Sequence, residues 1–314
     1  MHETVHGIHH VTAIAGDAQE NLDFYVGVMG LRLVKRSVNQ DAPDTYHLFY
    51  ADGVGTPGTD LTFFPWPAMR PSRPGVGLAV EIAFAIPAGS LSYWEPRLAA
   101  HGVTTGEHET RFGERTLPFT DPHGLSLTLI ETGLARPWVP WQESPVPEES
   151  QLRGMHSVRL WERDITKTRA FLEGALGFES AGSEKAWERF SVDGGGPGRF
   201  VELKELPDER RGTWGTGGVH HVAWRVEDEA EELAVRAVVE QEGMNPTPPI
   251  DRFWFQSVYF REPGGVLFEL ATDGPGFERD EPAERLGETL ILPPWLESRR
   301  EEIEADLPPL GSPL

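Results

Sequence analysis

Two short phrases and one isolated carboxylate carry most of the chemistry available to this chain. Residues 9–10 and 220–221 are each a His-His pair, and Glu269 stands alone in the apolar phrase Val266-Leu267-Phe268-Glu269-Leu270. A carboxylate among buried apolar side chains is costly unless it is paired or bound to a metal. Two neutral imidazoles and one carboxylate on neighbouring strands make a facial triad, the ligand set of iron(II) oxygenases, which leaves three coordination positions open. Side chains alternate across a strand. Over residues 219–226, His220 shares parity with Val222, Trp224 and Val226, whereas His221 faces the other way with Ala223 and Arg225. The same count sets His10 and Thr12 opposite His9, Val11 and Ala13. The second histidine of each pair is therefore expected on the concave, solvent-reachable face, so that His10, His221 and Glu269 become the metal ligands. A lone histidine on a strand is more often a hydrogen-bonded structural residue than a ligand. Recurrence of the dyad separates these two from His47, His101, His108 and His123, which read as structural or surface residues.

These groups need strands to carry them, and an internal repeat supplies the strands. The phrase GIHHVTAIAGDAQENLDFYVGVMGLRLV from Gly7 returns without a gap as GMHSVRLWERDITKTRAFLEGALGFESA from Gly154, aligning His9 with His156 and Asp17 with Asp164. GIHHVTAI also matches GVHHVAWR from Gly218, and DPHGLSLTLIETG from Asp121 matches EPGGVLFELATDG from Glu262. Four modules result, near residues 7–66, 78–133, 154–206 and 217–273. Each opens on an alternating strand such as 8–15 or 219–226, continues into a helix, and ends in β-rich runs such as 60–64 or 266–270. Asp17 is the expected N-cap of the first helix, with Glu20 as its capping-box partner; Leu22, Tyr25 and Met29 form the apolar stripe and Gly30 the stop.

The repeat also shows where ligands are missing. Ser157 stands in the third module where His10 stands in the first. Matching Pro57-Gly58 with Pro263-Gly264 puts Phe63 in the slot of Glu269. A cup built by the first and last modules then offers three protein donors, the open arrangement. Glu202, in RFVELKE, takes the Glu269-like place in a second cup without histidine partners and reads as a solvated or paired carboxylate.

Composition bounds the partners. With 39% hydrophobic residues the chain can build a core. A net charge of -22 argues against nucleic acid and anionic membrane, both polyanions, and suits a solvated acidic surface. With no cysteine, a metal site must use His, Asp, Glu or backbone oxygen. No apolar run approaches a membrane span and the N-terminus lacks a signal-peptide core, so a cytoplasmic protein is expected. The proline-rich RPWVPWQESPVPEES divides the chain. An N-terminal half over 1–136, a linker over 137–150, a C-terminal half over 151–276 and a tail over 277–314 are expected, the tail carrying a helix at 295–305 as a docking or capping segment.

The phrases GIHHVTAIAGDAQENLDFY, YHLFYADGVGTPGTDLTFFP, GVHHVAW and PGGVLFEL resemble the vicinal oxygen chelate (glyoxalase/bleomycin resistance/extradiol dioxygenase) superfamily. Within it they resemble the ring-cleaving dioxygenases of hydroquinones, chlorinated ones included. The likeness runs from about Gly7 to Gly276. It implies an α+β fold of four βαβββ modules paired into two cupped mixed sheets, with iron in the cup shared by the first and last modules. It agrees on His10, His221 and Glu269 as ligands, and implies roles beside the substrate for Tyr259, Arg252 and Thr12 and, less directly, for His9 and His220. The aromatic run Arg252-Phe253-Trp254-Phe255 departs from the family and bears on substrate size. The expectation is an Fe(II) enzyme, with Mn(II) as the alternative ion, that cleaves a hydroquinone- or catechol-type ring with O₂; a homo-oligomer is compatible with it. The rivals are a glyoxalase-type isomerase or lyase using Ni(II) or Zn(II), against which Phe63 speaks, and a non-catalytic protein that sequesters a small aromatic compound.

Overall fold

The computed structural model describes residues 4–313. Its strands fall into four groups, each interrupted by a helix after the first strand. The first module holds β1 (Ile8–Ala15), β2 (Arg32–Asn39), β3 (Ala42–Ala51) and β4 (Asp60–Pro65), and the second β5 (Leu78–Pro87), β6 (Glu109–Arg111), β7 (Glu114–Thr120) and β8 (Ser126–Thr132). The third holds β9 (Met155–Glu162), β10 (Glu179–Glu184), β11 (Trp187–Ser191) and β12 (Phe200–Glu205), and the fourth β13 (Val219–Val226), β14 (Ile250–Asp251), β15 (Gln256–Arg261) and β16 (Leu267–Thr272). The helices are α1 (Ala18–Leu22), α2 (Leu91–Ala100), α3 (Ile165–Ala175) and α4 (Glu229–Gln241). The α+β fold of four βαβββ units is the one the repeat announced.

Two mixed sheets of eight strands result, ordered β14-β15-β16-β13-β1-β4-β3-β2 and β10-β11-β12-β9-β5-β8-β7-β6. The first and last modules share one sheet and the two middle modules the other, each joined through an antiparallel pair, β1 with β13 and β5 with β9. One strand face in each sheet joins the helices in a continuous apolar core that includes Val11, Tyr25, Phe63, Trp94, Phe171, Trp224 and Phe268. The other face is the cup. No helix among the described residues is long and apolar enough to cross a membrane.

Local chemistry sets the helix starts. Asp17 caps α1 by accepting from the amides of Gln19 and Glu20, as Asp164 and Asp228 cap α3 and α4. Glu20 is not the reciprocal partner expected of it: its carboxylate lies 3.0 Å from His123 Nε2 in the second module. Beyond Leu22 the helix widens into a π turn over Asp23–Val28, where the Met29 amide reaches back to the Phe24 carbonyl. That turn directs Tyr25 inward, to stack near Phe63 and donate to Asp121 at 2.9 Å.

The C-terminal tail also differs from expectation. The helix anticipated at 295–305 is a short 3₁₀ turn, Glu297–Arg299, leading into α5 (Arg300–Asp306). Pro293 and Pro294 impose a turn first, closed by the Leu296 amide on the Pro293 carbonyl, and Trp295 is left exposed. Upstream, residues 277–291 run along the first module. Lys35, fully buried, is neutralised by Asp280 and Glu281, and the Ile291 amide bonds to the Arg36 carbonyl.

Candidate metal centre

β1 and β13 do not pair as an unbroken ladder. Ile8 faces Trp224 but His10 faces Ala223, so His9 is an extra residue on its strand; Thr12 faces His221 but Ala13 faces Val219, so His220 is the extra residue on the other. Each His-His pair thus carries a β-bulge at its first histidine. Bulges re-aim side chains and cluster next to active sites. Strict alternation sent His9 and His220 away from the cup. The bulges bring both rings back, and their Nδ1 atoms lie 2.9 Å from His10 Nδ1 and 2.8 Å from His221 Nδ1. With Nδ1 of His10 and His221 engaged in this way, Nε2 of each is the free donor directed into the cup.

Those two nitrogens meet the third group. His10 Nε2 and His221 Nε2 are 3.3 Å apart, and Glu269 Oε2 lies 3.3 Å from the first and 2.8 Å from the second. Glu269 is carried there by β16, with Ala223 as its neighbour on β13. All three side chains are sealed from solvent. Ser257 Oγ donates to Glu269 Oε1 at 2.5 Å, whereas Oε2 makes no hydrogen bond among the described residues. A buried carboxylate oxygen without a bond is costly. An octahedral ion with bonds of about 2.1 Å to imidazole nitrogen and carboxylate oxygen separates adjacent donors by about 3 Å. The three spacings fit one face of such an ion, and the unbonded Oε2 points where the ion would sit.

Charge within the cluster follows the same geometry. Burial pushes the Glu269 carboxyl up, but His10 and His221 outweigh it and hold the group well below the usual carboxylate range. Burial likewise disfavours the charged form of His10, yet Glu269 raises its pKa, while burial and His10 together lower that of His221. Asp60, the neighbour of His10 on β4, is a further buried acid: burial pushes it to about 7, and neither of its oxygens is hydrogen-bonded among the described residues.

The fourth slot needs correction. Glu269 is the cross-strand neighbour of Ala223, two residues after His221. In the first module the neighbour of Thr12, two residues after His10, is Thr62 rather than Phe63. Phe63 points into the core against Tyr25 and Tyr50. The Pro-Gly match misplaced the slot by one residue, which on a strand moves a side chain to the opposite face. Thr62 presents a neutral hydroxyl where a four-donor site would present a carboxylate. Its Oγ1 is 2.7 Å from Thr12 Oγ1 and 2.9 Å from His47 Nε2.

Above the donors lies a narrow pocket of about 40 Å³ that opens to solvent. His10 and His221 form its floor, and His47, Phe49, Phe64, Trp254, Phe255 and Tyr259 its aromatic walls. Tyr259 stands beside Glu269 on β15, its ring edge-on to His221 at 5.7 Å. Arg252 Nε is 3.3 Å from Tyr259 Oη, and its outer nitrogen pairs with Asp41 at 2.9 Å across the mouth. Burial works against the Arg252 charge, but Tyr259 and Asp41 more than restore it; burial and Glu269 raise the Tyr259 phenol, so it keeps its proton. In the unusual run, Phe253 adopts a positive φ of 76° and packs, buried, under Arg279, while Trp254 and Phe255 line the pocket. Asp280 of the tail holds Trp254 Nε1 at 3.0 Å, so the tail braces this wall.

The structure therefore gathers His10, His221, Glu269, Tyr259, Arg252, His9 and His220 around one point, with Thr12 reaching it through Thr62. Sequence reading missed His47 as a pocket residue. Its parity with Phe49 in an alternating strand was the available signal.

The second cup has the same slots. Cross-strand register puts Glu81 in the position of His10, Ser157 in that of His221, Glu202 in that of Glu269 and Arg189 in that of Tyr259. Here Glu202 is gripped by Arg159 at 2.7 Å and by Arg189 at 2.7 Å, and Arg111 pairs with Glu81. The carboxylate expected to be solvated or paired is paired, and buried.

Comparison with known proteins agrees with this architecture. The model of the Glyoxalase/Bleomycin resistance protein/Dioxygenase superfamily matches residues 7–129 and 154–270. MhqO of Bacillus subtilis, provisionally named as a ring-cleaving dioxygenase, is 42% identical over 305 residues, covering 96% of each chain. The chlorohydroquinone/hydroquinone 1,2-dioxygenase of Sphingobium indicum is 35% identical, covering 96% of this chain and 95% of that one. A crystal structure from Bacillus subtilis, provisionally titled a dioxygenase, superposes with a TM-score of 0.94 at 40% identity, covering 99% and 100% of the two chains. Glyoxalase I from Zea mays shares the fold alone, at a TM-score of 0.63 and 16% identity over 85% of this chain and 92% of that one. The chain belongs to the Glyoxalase/Bleomycin resistance protein/Dioxygenase superfamily.

Proposed function

We propose that this protein is an iron(II)-dependent dioxygenase that opens a hydroquinone- or catechol-type ring with O₂, holding its ion through His10, His221 and Glu269. The observation that carries the reading is the set of three buried donors 2.8–3.3 Å apart beneath an aromatic pocket. Iron(II), or manganese(II) in its place, would supply the redox chemistry that lets O₂ react with a closed-shell ring. The chain's own residues do the rest. His9 and His220 fix the ring orientation and tautomer of the ligands behind which they stand. Phe49, Phe64, Trp254 and Phe255 exclude water and accept a flat ring. Arg252 offsets negative charge on a substrate oxygen, and Tyr259, protonated and held by Arg252, is placed to donate to it. Thr12 and Thr62 keep the fourth slot neutral.

The relatives' names support this choice of chemistry, and the 35% identity to a hydroquinone dioxygenase supports the substrate class. Thr62 weighs against a glyoxalase-type isomerase built on a fourth carboxylate. To test the proposal, the protein is purified without oxygen, loaded with Fe(II), and followed for O₂ uptake with hydroquinones and catechols. Metal-dependent uptake is expected, and His221→Ala should abolish both uptake and iron retention. Isomerisation of a thiohemiacetal with Ni(II), without oxygen consumption, would overturn the reading in favour of the isomerase. Stoichiometric binding of the aromatic with no uptake under any metal would favour a sequestering protein.

A further inference from the structure

His47 is a pocket residue to which the fold assigns no metal-binding task. It sits on β3 with its ring between Phe49 and Phe64, at centroid distances of 3.9 and 4.4 Å. Burial, reinforced by His10, His221 and Arg252, holds the ring neutral. It therefore has one N–H and one lone pair. Its Nε2 meets Thr62 Oγ1, which meets Thr12 Oγ1, and both threonines are fully buried.

The direction of this chain can be read from its closed end. If Thr12 donates to Thr62 and Thr62 donates to His47 Nε2, each hydroxyl proton has an acceptor. If instead His47 donates to Thr62 and Thr62 to Thr12, the Thr12 proton is left over, because Thr62 is the partner the structure gives that hydroxyl among the described residues. An unmet buried donor is costly. The first direction makes Nε2 an acceptor and puts the proton on Nδ1. Nδ1 bonds to none of the described residues and is not among the sealed, unbonded atoms, and the residue lines the cavity. The corresponding position on β15 holds Ser257, whose hydroxyl is used up on Glu269. The first module thus places a longer side chain there, long enough to serve both its anchoring threonine and the pocket.

We propose that His47 is a substrate-orienting residue, its Nδ1–H donating to a ring oxygen of the bound diol from the wall opposite Arg252 and Tyr259. This rests on the diol-cleaving reading above. It favours a para-diol, which presents oxygens at both ends of the ring, over a catechol, whose two oxygens share one edge.

Asparagine and glutamine separate the two imidazole nitrogens: Asn can replace a donor at Nδ1, whereas Gln reaches the position of Nε2. We expect His47→Gln to weaken hydroquinone binding about tenfold, the scale of one hydrogen bond to a substrate oxygen, with catechol binding changed much less. His47→Asn should stay within a few-fold of the unaltered protein. Binding is measured anaerobically by calorimetry on the iron-loaded protein, with iron content and thermal midpoint as controls. Glutamine binding hydroquinone as well as histidine does, or both variants weakening hydroquinone and catechol alike, would overturn the role of Nδ1. Failure of the unaltered protein to bind any diol would instead bring down the functional reading beneath it.

Discussion

Glu269 and Glu202 occupy the same slot in the two sheets, and both are sealed from solvent. Glu269 faces two imidazoles, groups that can be neutral and lend a lone pair; Glu202 faces two guanidiniums, which remain charged and only donate. In the middle sheet the buried carboxylate is compensated from within the chain. Arg159 and Arg189 take both of its oxygens, Arg189 lies over Phe112, and His156 approaches Glu114 at 3.0 Å. In the other sheet one oxygen of Glu269 is left without a hydrogen bond among the described residues. One architecture therefore yields a cup whose buried carboxylate faces groups able to lend lone pairs, or a self-neutralised one, according to which side chains its neighbouring strands provide.

The largest expected effect comes from the proposed metal site. Glu269→Gln should lower iron affinity by more than about 100-fold, since even groups standing behind a ligand are worth roughly 10- to 100-fold. Metal content after desalting reads the change, and normal iron in this variant would remove Glu269 from the ligand set. Glu202→Gln should act on the other ledger. It strands two buried guanidiniums and is expected to cost about 3–5 kcal/mol of unfolding stability, measured by urea titration, while iron content per folded molecule stays unchanged. Iron loss in parallel with stability would show that the cups are not independent.

A pH series sharpens the contrast. Burial raises the Glu202 and Glu114 carboxyls, but Arg159 and Arg189 for the first, and His156 and Arg189 for the second, bring both below their ordinary value. Groups depressed in the folded state contribute stability that is complete above the unfolded value, about 4.3, and is lost as pH falls through the folded ones. The urea midpoint should therefore drop on acidification below about pH 5, and more shallowly in Glu202→Gln; identical slopes would mean that this cup does not set acid lability. The smallest expected effect is a null result. Glu81→His with Ser157→His rebuilds the donor types around Glu202, yet no metal should bind while Arg159 and Arg189 remain. Binding by dialysis against Fe(II) would show that the arginines do not exclude an ion.

The parts legible in the sequence were those that repeat locally. Helix N-caps, module order and the His-His and Glu269 phrases follow from short-range pattern, and the parity that sends His10 and His221 into one cup agrees with the structure. His9 and His220 were misdirected because counting by twos assumes an unbroken ladder, and a bulge is defined by the partner strand. Phe63 was taken for Thr62 because the module loops differ in length, so a match at a Pro-Gly turn drifts by one residue along β4. The arginine grip on Glu202 draws on β9 and β11, and the brace on Trp254 comes from Asp280 of the tail. Neither has a signal shorter than the fold itself.

The junction of β1 with β13 has a consequence for synthesis. It weds β1 of the first module to β13 of the last, and the last donor follows later still, on β16. Contacts of such long sequence separation form slowly and late. A growing polypeptide can complete the middle sheet, whose charges balance without outside help, before the outer one has its second edge. Under the proposed function, a product lacking β16 would have no complete set of donors for the ion, so chemistry with oxygen would wait on that strand.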